Sequence, residues 1–522
     1  MANLEIRQMT SETVSELITR FAPREKYNNP FMVMLDTTLE AGCDGIIIEH
    51  EYVDKDYLDE YSLFYSTCFK DYYRLCTRLH FFNNNVLKKL DLIDCPNKWG
   101  VFTNDELSLL QDNYVGFSVI RPLDICTVGR TVIRPYIPND NYEFVLSQCR
   151  TPVNINGVDL NATGMPYLQQ DTQTGVCASS ALWMAARYMH HRFGYKKYTI
   201  PEITNAANKT SHSRPFPATD GLTIDQIVSA LVDMGFAPIV YSTRYQKMST
   251  ESIIYKYLES ELPVILALDI PGIGGHAILV VGHNFLPKNY VCSISHLKNV
   301  NYIDTFIVHD DARGPYINMP FNECIQGDTE YSLKNVIGII VPAHKKLFLK
   351  GEDAEEHARV LLYEQLLVNS TLCEKITNKA FIDAYQSRQL VFRTYYTTSN
   401  KFKENIINSG MPSKLVHFYK NMGLPKYIWI TEISSPQFLE RSRKEERLIY
   451  GEIIIDSTGG PNNPENYLAI HCPGVIFLRY PNIYVIDDVT GFPEEKKIIE
   501  PIPDDAPYSS LTRIINTIYK CR

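Results

Sequence analysis

The apolar positions change rhythm along the chain, and the richest stretch lies in its middle third. Over residues 177–192, Ala181, Ala185, Tyr188 and Met189 recur at i, i+4, i+7 and i+8, the spacing of a helix that begins at or just before Cys177. Residues 223–234 repeat that spacing with Ile224, Ile227, Val228 and Leu231 on one face, and Gly235 stands where such a helix stops. Residues 249–260 read as a third helix. Short apolar runs at 236–241, 263–270 and 305–310 read as strands. After the glycine turn Pro271-Gly272-Ile273-Gly274-Gly275, the run His276-Ala277-Ile278-Leu279-Val280-Val281-Gly282 is almost continuously apolar, which suits a strand covered on both faces. A turn at Asp311-Ala312-Arg313-Gly314-Pro315 follows the last of these strands.

Both flanks have a different character. Residues 1–145 mix helical and strand patterns, with aromatics dense over 57–65. They close on two copies of one tetrapeptide, Val119-Ile120-Arg121-Pro122 and Val132-Ile133-Arg134-Pro135, read as a pair of strands that each end at proline. Arg121, Arg130 and Arg134 either decorate these strands or converge on an acidic partner or a ligand carboxylate. An Asn-rich, polar approach (Asn154, Asn156, Asn161) leads into the middle third. Beyond Lys345 a charged helix is expected over 352–369, then strands at 427–433, 448–455 and 474–479, with a loop at 459–464. These patterns predict an α+β protein in three units: residues 1–145, 146–345 and 346–522. No repeat of 20 to 50 residues interrupts that reading.

Composition narrows the function classes. The 522 residues are 45% hydrophobic and 21% charged, an ordinary globular balance, and 51 Lys and Arg against 60 Asp and Glu give a formal charge of −9. Nothing in that balance favours nucleic acid or an anionic membrane as a partner. Charges throughout the first twenty residues argue against a secretory signal, and the longest apolar runs, such as 336–341, fall well short of the roughly 18 to 20 residues of a membrane helix. A soluble, cytoplasmic protein is expected. The twelve cysteines are scattered without a CxxC pair, which fits neither a disulfide scaffold nor a zinc ribbon. His190 and His191 with His276 or His283 make a poor metal set, because adjacent side chains on a helix diverge by about 100° and no HExxH accompanies them. Neither a metal nor a cofactor is expected.

One constellation does carry chemistry. A thiolate rather than a thiol attacks a carbonyl, so a nucleophilic cysteine needs a positive environment and a base. The first turn of a helix offers partial positive charge and free N–H groups, which also suit an oxyanion, and Cys177 sits there. His276, at the start of a buried strand about 100 residues on, is placed to be the base, and Asp310, at the end of the next strand, to orient it. His283, seven residues along the same strand, and His309, beside Asp310, are expected to face away.

Pro166-Tyr167, then Gln170, a Thr-Gly turn before Cys177, Leu182 and Met184 behind it, the run Gly275 to Gly282 and His309-Asp310 together resemble the papain-like cysteine peptidases. Within them the chain is most similar to the bacteriocin-processing, double-glycine branch, over about residues 146–345. The resemblance implies Cys177 as nucleophile, His276 as general base, Asp310 as its orienting partner and Gln170 as an oxyanion donor, with Gln169 and Gln173 as rivals for the last role. It also implies a protein or peptide substrate, with the flanking units restricting access to it, and by analogy a maturation or defence role inside a bacterium. Ala178 stands where that family usually has glycine, and Asp311 where proline commonly follows the aspartate. No GxxxxGK[ST] phosphate loop is present, so the ATPase of that branch's exporters is not expected. Two other outcomes use the same residues: acyl transfer of the transglutaminase or amidase type, and an inactive peptidase fold that binds peptides, with the arginine region as its interface.

Overall fold

Side-chain caps start the longer helices of the first unit and apolar strands carry its sheet. In the computed structural model, which describes residues 4–22, 29–136, 143–145, 147–171, 177–209, 221–244, 248–285, 298–322, 331–366, 376, 378–407, 413–441, 447–461, 463, 466–473, 475–478 and 508–510, five strands pair antiparallel in chain order. They are β1 (Leu4–Gln8), β2 (Cys43–Tyr52), β3 (Cys76–Asn83), β4 (Tyr114–Ile120) and β5 (Val128–Ile133). Helices α1 (Ser11–Phe21) and α2 (Pro30–Glu40) link β1 to β2, and α3 (Lys55–Leu63) follows β2. Asn29 caps α2 by accepting from the Met32 N–H, with Pro30 in the first turn, and Asp54 caps α3 by accepting from the N–H groups of Asp56 and Tyr57. Two shorter helices, α4 (Val86–Lys89) and α5 (Asn104–Asp112), precede β4. The two Val-Ile-Arg-Pro segments close β4 and β5, which pair with Phe117 opposite Val132.

The polar approach holds more structure than its asparagines suggest. After β6 (Glu143–Val145), β7 (Cys149–Ile155) and β8 (Val158–Gly164) form a hairpin in which burial alternates residue by residue. Its inward side, including Val153, Ile155 and Leu160, shares a core with Phe117, Val119 and Val132 of the first sheet.

Next come the helices α6 (Cys177–Phe193), α7 (Ile200–Ala207), α8 (Ile224–Asp233) and α9 (Thr250–Glu259). At α8 the Thr223 hydroxyl accepts from Gln226 N–H and the Gln226 side chain accepts from Thr223 N–H, while Gly235 at φ +92° ends it. The second sheet contains β9 (Ile239–Ser242), β10 (Val264–Ile270), β11 (Gly274–Asn284), β12 (Thr305–Asp310), β13 (Gly314–Pro320) and β14 (Val336–Val341). Its order is β13-β12-β11-β10-β14-β9, all antiparallel, with β6 also pairing β11. Residues 277–283 of β11 are buried without alternation, as a strand covered on both faces requires.

The third unit opens with α10 (Gly351–Val360), which widens into a π-helical turn over Leu361–Leu366. The last residues of the helix expected over 352–369 lie outside the described residues. Its sheet runs β15 (Val391–Thr398), β16 (Tyr427–Ser434), β18 (Gly451–Asp456), β19 (Tyr467–Cys472) and β20 (Val475–Leu478). The strand expected over 448–455 is two strands, β17 (Arg447–Ile449), paired with β21 (Tyr508–Ser510), and β18 (Gly451–Asp456), paired with β16. They part at Tyr450, whose ring packs 4.2 Å from that of Phe438 and whose N–H bonds to the Ile433 carbonyl. β19 (Tyr467–Cys472) and β20 (Val475–Leu478) complete the sheet, β20 falling within the expected 474–479. One continuous apolar cluster joins all three units, from Ile46 and Leu79 through Leu182 and Ile278 to Trp429 and Ile453. Among the described residues no helix is long and apolar enough to cross a membrane.

Candidate active site

The pairing of β11 with β12 decides which side chains can meet. Val280 lies opposite Val308, so His276, Ile278 and Val280 share a face with Val308 and Asp310. His276 Nε2 lies 3.0 Å from Asp310 Oδ1, and Cys177 stands at the first turn of α6, near enough to the imidazole to act on its charge. Asp310 is held from its other sides: the Ala312 N–H donates to Oδ1 at 2.9 Å and the Tyr331 hydroxyl donates to Oδ2. The side chain of His276 is only 13% exposed, yet Cys177 is half-buried and so within reach of solvent. The structure thus brings Cys177, His276 and Asp310 together, with His276 hydrogen-bonded to Asp310.

Burial opposes a charge on His276, but the bonds with Asp310 and Cys177 and the negative charges of Asp310 and Asp311 outweigh it and push the imidazole pKa up to about 11. Asp310 is the mirror case. Burial alone would raise it, and the bond and charge of His276, with the donors Tyr331 and Ala312, hold it below the usual carboxylate range. For Asp311 the balance reverses: wholly buried, 3.8 Å from His276 Nε2 and next to Asp310, it is raised by burial first and by that neighbour second, and the His276 charge and nearby N–H groups do not offset them. An acid that ionises later in the fold than in the unfolded chain loses stability as pH rises out of the ordinary carboxylate range, and the loss levels off once it has ionised in the fold. Asp311→Asn should therefore be more stable than wild type above that range and no more stable at pH 3, as urea midpoints measured across pH would show. Equal midpoints at every pH would contradict the burial of a charged Asp311.

No protein-family model and no curated protein matches the sequence. Its chemistry is therefore read from the residues themselves.

The segment before Cys177 is anchored on the first unit. Gln169 is buried, its amide oxygen accepts from Val128 N–H at 2.9 Å, and its carbonyl accepts from Arg121 at 3.1 Å. Asp171 accepts from the Tyr65 hydroxyl. Gln170 stands half-buried between these two fixed neighbours, whereas Gln173 lies outside the described residues. Gln169 is thereby tied to the start of β5. Tyr167 donates to the carbonyls of Asp310 and Asp311, both at 3.2 Å, and so braces the turn that carries the two acids. Spacing alone gave no sign of Tyr331 or of the Tyr65 and Arg121 anchors, since each comes from a distant part of the chain.

Two of the three arginines singled out find acids within the chain. Arg130 pairs with Asp54 at 2.8 Å and Arg121 with Glu60 at 3.6 Å, both acids belonging to α3 or its cap, while the Arg134 N–H closes the strand on the Val115 carbonyl. The other histidines are occupied elsewhere. His283 Nε2 bonds to Glu259 at 2.8 Å. The register shift between Val280 and Gly282 breaks strict alternation, so what separates His283 from Cys177 is about 20 Å of strand and that bond. His309, opposite Leu279, packs edge-on to Tyr167 and Tyr316, and burial pushes its pKa down to about 3. His190 bonds to the Tyr195 carbonyl. Among the described residues, His276, Asp310 and Asp311 are the one set whose ligand atoms lie within 4.8 Å of one another, and two of the three already bond each other.

Proposed function

We propose that the protein is a papain-like cysteine peptidase acting on a peptide or isopeptide bond. The observation that carries this reading is the convergence of Asp310, the His276 that it holds at 3.0 Å, and the thiol at the start of a buried helix. His276 and the helix N-terminus place positive charge beside the thiol, the setting a nucleophilic cysteine needs. In the proposed mechanism Cys177 Sγ adds to the carbonyl carbon, and the Cys177 N–H and Gln170 hold the oxyanion. As the tetrahedral adduct collapses, the C–N bond breaks and the imidazolium gives its proton to the leaving amine. Neutral His276 then takes a proton from water, whose oxygen attacks the thioester and releases a carboxylate and the thiol. Asp310 keeps the ring oriented throughout. The anchoring of residues 169–171 on β5 and Tyr65 supports a fixed position for Gln170.

A limiting dose of iodoacetamide on the native protein at pH 6, followed by peptide mapping, tests this. Cys177 should take most of the label although Cys95 is the more exposed thiol. Label that follows exposure, with Cys95 ahead and Cys177 unmodified, would show an inert fold and overturn the reading. Incubation with a mixed peptide pool then separates hydrolysis, which yields new carboxyl termini, from transfer, which yields amine cross-links.

A further inference from the structure

At the end of α6 remote from Cys177, a cavity of about 440 Å3 opens where that helix meets β15 and β16. Small-molecule sites span about 300–1,000 Å3, so its size is that of a ligand pocket. Its wall is a pile of rings. His344 lies within 29° of parallel to Tyr195, 28° to Tyr396 and 19° to Tyr427, at centroid distances of 5.7, 6.1 and 5.7 Å, and Tyr396 and Tyr427 differ by 14°. Rings in a shared orientation offer their faces to one more flat ring, which gains from stacking beyond the burial of its area. Burial keeps His344 neutral, its pKa pushed down to about 4, and its Nδ1 is hydrogen-bonded to the Tyr195 hydroxyl.

Charge at the rim has one sign in excess. Arg192 and Lys401 both pair with Glu261, at 2.6 and 2.5 Å, and Lys426 lies over the Tyr427 ring, 5.1 Å from its centroid. Three cations face one carboxylate. An apolar solute would not use that excess and a bare anion would not use the rings. We propose that this pocket binds a planar aromatic anion of the nucleoside monophosphate class, the base alongside the ring pile and the phosphate at Lys426 and Lys401. This site stands independently of the chemistry at Cys177.

Calorimetric titration of the full chain with AMP, GMP, CMP and UMP, and with adenosine and inorganic phosphate as controls, tests it. At least one nucleotide should bind saturably, at least tenfold more tightly than either control. Lys426→Glu, at an exposed position whose change spares the core, should weaken that binding at least tenfold, and Tyr427→Ala should weaken it independently. Absence of binding by all four nucleotides, or binding indifferent to both substitutions in variants with wild-type circular dichroism, would overturn the proposal.

Discussion

Asp310→Asn should slow the alkylation of Cys177 at pH 6 relative to wild type, with the rate climbing as pH rises toward 9. Asparagine can keep the geometry. Its oxygen can replace Oδ1, accepting from His276 and Ala312, while its NH2 donates to the Tyr331 oxygen in place of the bond that Oδ2 now accepts. What disappears is the charge. An opposite charge at this distance is worth about one to three pK units, so the imidazole should drop from about 11 toward its ordinary range and release its proton where wild type still holds it. Peptide hydrolysis should fall by about 10- to 100-fold at pH 8. Asp310→Ala, which removes orientation as well, should cost about 10²- to 10⁴-fold, the range of a positioned acid or base. Stability has a matching sign: a histidine raised from 6.5 to about 11 contributes fully below pH 6.5, and that contribution is lost as pH rises through about 11. A flat alkylation profile in Asp310→Asn would mean that Asp310 does not control the ring.

The elements around this site were legible because their periodicities are strong. The helix at Cys177, the capped helix before Gly235 and the buried β11 follow from spacing alone, and order along the chain paired Cys177 with His276 and Asp310. The hairpin of β7 and β8 was less legible, although its alternation is strict: Asn154, Asn161 and the other outward residues look like a polar loop until the inward Val153, Ile155, Leu160 and Ala162 have a sheet to cover. The split at Tyr450 depends on Phe381 and Phe438, which no local pattern brings there. Likewise Arg121 and Arg130 could be singled out but not partnered, because their acids sit on a helix or its cap some sixty to eighty residues earlier.

That helix carries the second large effect. Asp56→Ala should destabilise the protein by about 3–5 kcal/mol, read from urea unfolding. Asp56 is buried on α3 and accepts from Arg187 at 2.5 Å and from the Trp183 indole at 3.2 Å, both residues of the helix that begins at Cys177. Arg187 is itself only 2% exposed; beyond Asp56, its remaining support is the Tyr198 carbonyl at 3.2 Å and the Trp183 ring 4.6 Å away. Removing the acid leaves a buried guanidinium without its counter-charge, the costly half of breaking a buried pair. Lost contact alone would be cheaper, and a double variant tells the two apart. With Arg187→Met added, the unpaired charge is gone and an apolar chain fills its place, so most of the stability should return. A double variant as unstable as the single would mean that α3 docks through packing rather than charge. If stability returns, Asp56 and Arg187 are a charge lock between the first unit and the helix of Cys177, and the first unit is part of the foundation on which the thiol is held.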